Sequence, residues 1–175
     1  MALTKIASTA ASSSSAIAFT SDINSTYKLY MFKFIEIHPS GNEYLTWQGS
    51  TDGGSNYNVS ILSSAFRSIN NEAADDYKIE YRTAADQNGT GYQWLTETIK
   101  NDADANGSGY LVLFNPSNTT YVKHFCSTTN CLESSDYSQQ LFIGGFFNTT
   151  SAINAVNFKM NSGTIDAGTI EMWGL

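Results

Sequence analysis

The sequence predicts an all-β fold: a single-domain antiparallel β-sandwich, jelly-roll-like, with an extended N-terminal arm. Three observations point there. Apolar residues alternate with period two along most of the chain, the spacing of half-buried strands. Clusters of turn-forming residues separate these runs, as in sandwiches and jelly rolls. Finally, Ser, Thr, Asn and Gly make up 69 of the 175 residues and aromatics 13%, whereas charged residues are only 14%, against about 25% in ordinary soluble proteins. Hydroxyls, amides and glycine turns over an aromatic interior suit a β-rich extracellular or virion protein. The length fits one domain with a sizeable core.

Residues 29–37 alternate most clearly. Tyr30, Phe32 and Phe34 face one way until charged Glu36, and Leu29, Met31, Ile35 and Ile37 face the other, so a central strand covered on both sides is expected. Pro39-Ser40-Gly41-Asn42 reads as a turn, and residues 43–48 as the return strand of a hairpin. Further strands are read at 58–66, 77–82, 91–97, 110–114, 121–125, 141–147, 155–160 and 169–173. The breaks carry turn chemistry, for example Thr51-Asp52-Gly53-Gly54, Asn115-Pro116-Ser117-Asn118 and Asn161-Ser162-Gly163. Phe66, Ile69 and Ala73 fall at helical spacing, but two asparagines oppose a helix, so residues 65–76 are read as an irregular loop or one helical turn.

Residues 1–18 stand apart. Positions 7–16 hold only Ala, Ser and Thr, too little to bury for independent folding. They read as an arm reaching a neighbouring subunit, with Leu3 and Ile6 as its packing residues, ahead of a sandwich domain at 19–175; a frayed tail is the alternative.

Net charge is −7 and the pI about 4.6. With the few Lys and Arg scattered, there is no basic field for phosphates, which sets nucleic acid aside. The apolar runs are far short of the roughly 20 residues that cross a bilayer, so no membrane insertion is expected. The N-terminus lacks the roughly 7–15 apolar residues of a secretory signal. A cytoplasmic product without its own signal is the expectation.

Candidate sites follow from residue chemistry. Cys126 and Cys131 could form a disulfide closing a small loop between two strands; in a reducing cytoplasm a free dithiol is the alternative. Asp102-Ala103-Asp104-Ala105-Asn106-Gly107 matches the first half of a calcium loop, but Leu113 stands where the bidentate Glu belongs, which favours a polar hairpin turn. Carboxylate pairs such as Glu36 with Glu43 across the expected hairpin are not singled out by spacing. His38 and His124 lie at or near strand ends, and no Gly-x-Ser-x-Gly elbow holds a serine. A non-enzyme without cofactor or metal is expected. Trp47, Tyr57, Tyr92 and Trp94, close to loops, could stack on sugars, the competing role being core or subunit interface.

Several segments together resemble small virion structural proteins of tailed phages, especially those of marine bacteria. The carriers are residues 19–27 (FTSDINSTY), 30–39, 48–58 (QGSTDGGSNYN), 113–117, 120–125 (TYVKHF), 149–163 and the closing 168–175 (GTIEMWGL). These are fold motifs and bring no catalytic residues. The resemblance implies a jelly-roll-like sandwich displayed on the virion. A capsid decoration protein, self-associating as a homotrimer on the major capsid protein, is the expected role. A tail-fibre or receptor-binding component that recognises host surface glycans is the alternative. The compact chain, without heptads or repeats for a shaft, favours the head.

Overall fold

The computed structural model describes residues 2–175 and is an antiparallel β-sandwich. Its strands are β1 (Thr4–Ala10), β2 (Ile17–Phe19), β3 (Leu29–Pro39), β4 (Leu45–Ser50), β5 (Ile61–Asn71), β6 (Tyr77–Tyr81), β7 (Asn88–Gly89), β8 (Gln93–Trp94), β9 (Gly107–Phe114), β10 (Lys123–Leu132), β11 (Tyr137–Phe147), β12 (Ala155–Met160) and β13 (Ile165–Gly174), with one 3-10 turn at Thr83–Ala85. The larger sheet runs β1-β13-β3-β9-β10-β11-β5-β6, with β7 also paired to β5; the smaller runs β2-β12-β4-β8.

Alternation explains the packing. Tyr30, Phe32 and Phe34 of β3 turn inward and are buried, as are Leu111 and Leu113 of β9 and Phe125 of β10. From the smaller sheet Trp47 and Phe158 meet them, paired across β4 and β12. The Trp47 ring lies 5.0 Å from Phe125 and 5.1 Å from Phe147, both edge-on. Each such fully buried side chain contributes about 1.5–3 kcal/mol. β4 is buried on both faces, because its outward Gln48 donates from Nε2 to the carbonyl oxygens of Val59, Thr90 and Gly91 and so ties two loops over the strand.

The first and last thirds of the chain interleave. β1 and β3 flank β13 in the larger sheet, while β2 and β4 flank β12 in the smaller one. Residues 2–18 are therefore not a free arm: β1 pairs with β13 from Thr4↔Gly174 to Ala10↔Thr169, and β2 spans the expected boundary at residue 18. Ile6 packs against the core and Leu3 is exposed; Met1 lies outside the described residues. The Ala/Ser composition that argued against folding is sufficient for an edge strand, whose stability comes from one backbone ladder and one packed face.

Two other expectations change. β3 and β4 belong to different sheets, so residues 40–44 cross the sandwich instead of closing a hairpin. Residues 61–71 form one continuous strand, with Ile69 inward and Phe66 outward; an apolar residue on each face mimicked helical spacing. β3 is central as read, between β13 and β9, but its second face is only half covered, with Ile35 exposed.

A bulge bends β3 against β13. Glu36 has φ +53° and Gly168 φ +107°, and the pairing shifts register at both points. A Cβ on Gly168 would stand 2.5 Å from the Glu36 carbonyl oxygen, so only glycine fits.

Candidate functional site

Residues paired across a ladder share a face, and this defines what the larger sheet shows to the outside. One row runs across it as Tyr81, Phe66, Phe142, Thr128 and Tyr110, on β6, β5, β11, β10 and β9 in turn. A second row places Leu62 beside Phe146 and His124. Phe66 and Phe142 stack with centroids 4.6 Å apart and planes 11° from parallel. Ile79 is 75% and Tyr77 73% exposed.

No outward position of β9, β10, β11, β5 or β6 carries Asp, Glu, Lys or Arg. Beyond β9 the character changes. Lys33 of β3 lies over the Trp173 ring at 4.2 Å, and Lys5 of β1 pairs with Glu171 at 2.5 Å. The sheet thus has a charge-free aromatic field and a charged margin. Near the Phe114 end of the field is an open recess of about 600 Å³ lined by Phe114, Asn115, Tyr121, Val122 and His124.

Two charged residues, Glu97 and Lys123, are buried instead, and both are partnered. Glu97, 3% exposed in its side chain, accepts from Arg82 Nε at 2.7 Å and Nη2 at 3.0 Å, and Arg67 Nη1 stands 3.6 Å away. Arg67 also binds Glu80 and Gln139. Lys123, with no exposed surface, donates to the carbonyl oxygens of Tyr121 and Thr149, and burial pulls its pKa below the usual lysine range.

The residues considered for sugar stacking separate. Trp47 has no exposed surface and belongs to the core, which removes it from any sugar platform. Tyr57, Tyr92 and Trp94 are half-buried. Trp94 lies opposite Thr46 and so faces outward from the smaller sheet, with the Tyr44 ring against it at 3.9 Å, tilted by 31°, and the Arg82 guanidinium 5.7 Å from its ring. Tyr92 hydrogen-bonds outward-facing Asn157 and carries Lys159 over its ring at 4.3 Å. Burial, then the charge of Tyr57, raise the Tyr92 pKa. Tyr92 and Trp94 therefore already have partners within the chain. Tyr44, Asn157 and Lys159 were not singled out by the sequence, because each reads as an ordinary strand residue.

Cys126 and Cys131 lie on one continuous strand, Cys126 outward in the charge-free field and Cys131 inward. Both are free thiols, since a strand rising about 3.3 Å per residue holds them far beyond disulfide reach. Burial, then the charges of Glu97 and Glu133, push the Cys131 thiol up to about 12. Asp102 is engaged by Lys100 at 2.9 Å, which also reaches Asp136. Glu36 sits in the β3 bulge, whereas Glu43 accepts from Asn161 on the other sheet's side, so they form no pair. His38 Nδ1 is 2.8 Å from the Ala105 carbonyl oxygen. No family model, curated protein or solved structure matches this chain.

Proposed function

We propose that the chain is a non-enzymatic structural protein of a phage virion, a capsid decoration protein that lays the charge-free face of its larger sheet on the head surface and self-associates there. The observation that carries this reading is the distribution of charge. The chain has 25 charged residues and a net charge of −7, yet five adjacent strands present none of them outward. A large exposed apolar patch marks an interaction surface, and docking it strands no unpaired ion. The interleaving of β1 to β4 with β12 and β13 favours the jelly-roll-like form. The resemblance of the sequence to virion proteins supplies the particle and, with it, the major capsid protein as partner.

The test is the copy number per purified virion, by quantitative mass spectrometry against the major capsid protein. Hundreds of copies would follow icosahedral symmetry and support the head. About three to thirty-six would follow tail symmetry and move the chain there. Virions without the chain would overturn the reading.

A second reading, a tail-fibre or receptor-binding component, is favoured by Tyr92 and Trp94, which lie two residues apart on the outer side of the smaller sheet. A glycan array separates it: saturable binding lost in Tyr92→Ala supports a receptor-binding role, and an empty array removes it.

A further inference from the structure

We infer that a second copy of this chain docks edge to edge on β6, pairing the two β6 strands antiparallel about a two-fold axis at Ile79. β6 ends the larger sheet, so one side of its backbone has no ladder partner among the described residues. Such an edge is a template for another strand. Its sequence, Tyr77-Lys78-Ile79-Glu80-Tyr81, suits its own copy. In an antiparallel pair centred on Ile79, Lys78 stands opposite Glu80 of the second copy, and Glu80 opposite the second Lys78. Tyr77 meets Tyr81 on both sides of the Ile79 pair. Centring the pair on Lys78 or on Glu80 instead would set like charges opposite each other, so charge fixes the register.

The faces agree as well. Tyr77, Ile79 and Tyr81 all point outward from the sandwich, whereas Lys78 and Glu80 point to the other side. Pairing through Ile79 keeps each set with its like. The two larger sheets become one, and their charge-free fields join into a surface twice as wide. Glu80 can accept the second lysine without losing its own contacts, since Arg67 holds Oε1 while Oε2 has only Lys78 at 3.4 Å.

The inference rests on the proposed structural role for its purpose, but its geometry stands alone. It gives copies in pairs, where the sequence pointed to threes. A five-residue ladder falls short of the standard interface of about 1,200–2,000 Å², so the pair should be weak in solution and strengthened where a particle surface concentrates the copies.

Sedimentation equilibrium of the full chain, at concentrations up to about 0.5 mM, reads the pairing. Wild type should dimerise. Lys78→Glu, which sets carboxylates opposite each other at both symmetry-related positions of the pair, should weaken association at least about tenfold. Glu80→Lys should do the same, and an equimolar mixture of the two variants should recover the dimer as a heterodimer. Thermal melts check that each variant folds. A second measurement needs no charge change: Ile79→Cys in a Cys126→Ser background should cross-link on oxidation, since paired residues stand about 4.5–5.5 Å apart at Cα, within disulfide reach. A wild-type chain that stays monomeric and an Ile79→Cys chain that does not cross-link overturn the inference, as does a dimer indifferent to Lys78→Glu. If copies pair but virions lack the chain, the pairing stands and the particle reading falls; if virions carry it while the pairing tests fail, only the pairing falls.

Discussion

Phe66 and Phe142 stack on the outside of the sandwich, on neighbouring strands, with centroids 4.6 Å apart. Phe66 remains 46% exposed there. An aromatic pair contributes about 0.5–1.5 kcal/mol beyond its buried area, so Phe66→Ser should lower stability by about 1 kcal/mol. Docking should suffer far more, since an uncharged aromatic anchor would be lost from the face. The expected outcome is a small shift in urea midpoint with at least about a tenfold loss of particle binding. Equal binding by wild type and variant would take this face out of the interface.

Trp47 behaves in the opposite way. It has no exposed surface and touches Phe125 and Phe147. Trp47→Ala should cost about 3–5 kcal/mol through lost contacts and the cavity left behind. Urea unfolding at neutral pH measures this. A loss below about 1 kcal/mol would contradict the core placement.

The Glu97–Arg82 pair is held inside the edge of the sandwich, with Glu97 almost wholly buried. Glu97→Gln should destabilise by about 3 kcal/mol, because Arg82 would then lack its counter-charge, while Arg67 keeps Glu80. Replacing Arg82 and Glu97 together with apolar residues should cost less than Glu97→Gln alone. A double-mutant cycle decides this.

The two thiols should differ in reactivity. An aromatic disulfide reagent should label Cys126 in the folded protein, slowly, because partial burial raises its pKa. Cys131, pushed up to about 12, should react only after unfolding. One thiol labelled in the folded state and one limited by unfolding is the expected count; two thiols labelled without unfolding would contradict the fold of β10.

Acid should act on the loop after β4. Hydrogen bonds from Ser50 Oγ first, then from Asn56, lower the Asp52 pKa from 3.8 to about 2. A carboxyl depressed in the folded state stabilises above its unfolded pKa, and that contribution fades as pH falls from about 4 through about 2. Asp52→Asn should therefore flatten the stability profile across that window and leave its slope above about pH 5 unchanged, as followed by urea midpoints at each pH.

Strands and their inner faces were legible because the larger side chains alternate. Tyr30, Phe32 and Phe34 read as one face of their strand and are buried together, whereas Ile37, read on the opposite face, is buried too because the register shifts between Phe34 and Ile37. What one strand cannot disclose is its partner: β3 and β4 follow each other across a turn and yet enter different sheets. Buried polar residues are illegible for another reason. Lys123 and Gln48 look like surface residues in sequence, but each is buried once backbone carbonyls satisfy it, and those carbonyls come largely from distant loops. The outer field was hidden for a related reason. Phe66, Phe142 and Tyr110 come from strands far apart in the chain, and only the ladder sets them side by side.

The place of β13 between β1 and β3 sets an order of events during synthesis. A ribosome has emitted residues 4–10 and 29–39 long before it makes the strand both must pair with. Until residue 174 leaves the exit tunnel, two strands on either side of a vacant lane must wait, and β2 and β4 wait likewise for β12. Long-range pairing of this kind folds slowly and leaves strand edges open meanwhile. The nascent chain should thus depend on holding chaperones more than its size suggests, and stalling translation between residues 115 and 150 should yield insoluble chains, whereas a stall placed well beyond residue 175 on a linker should release folded protein.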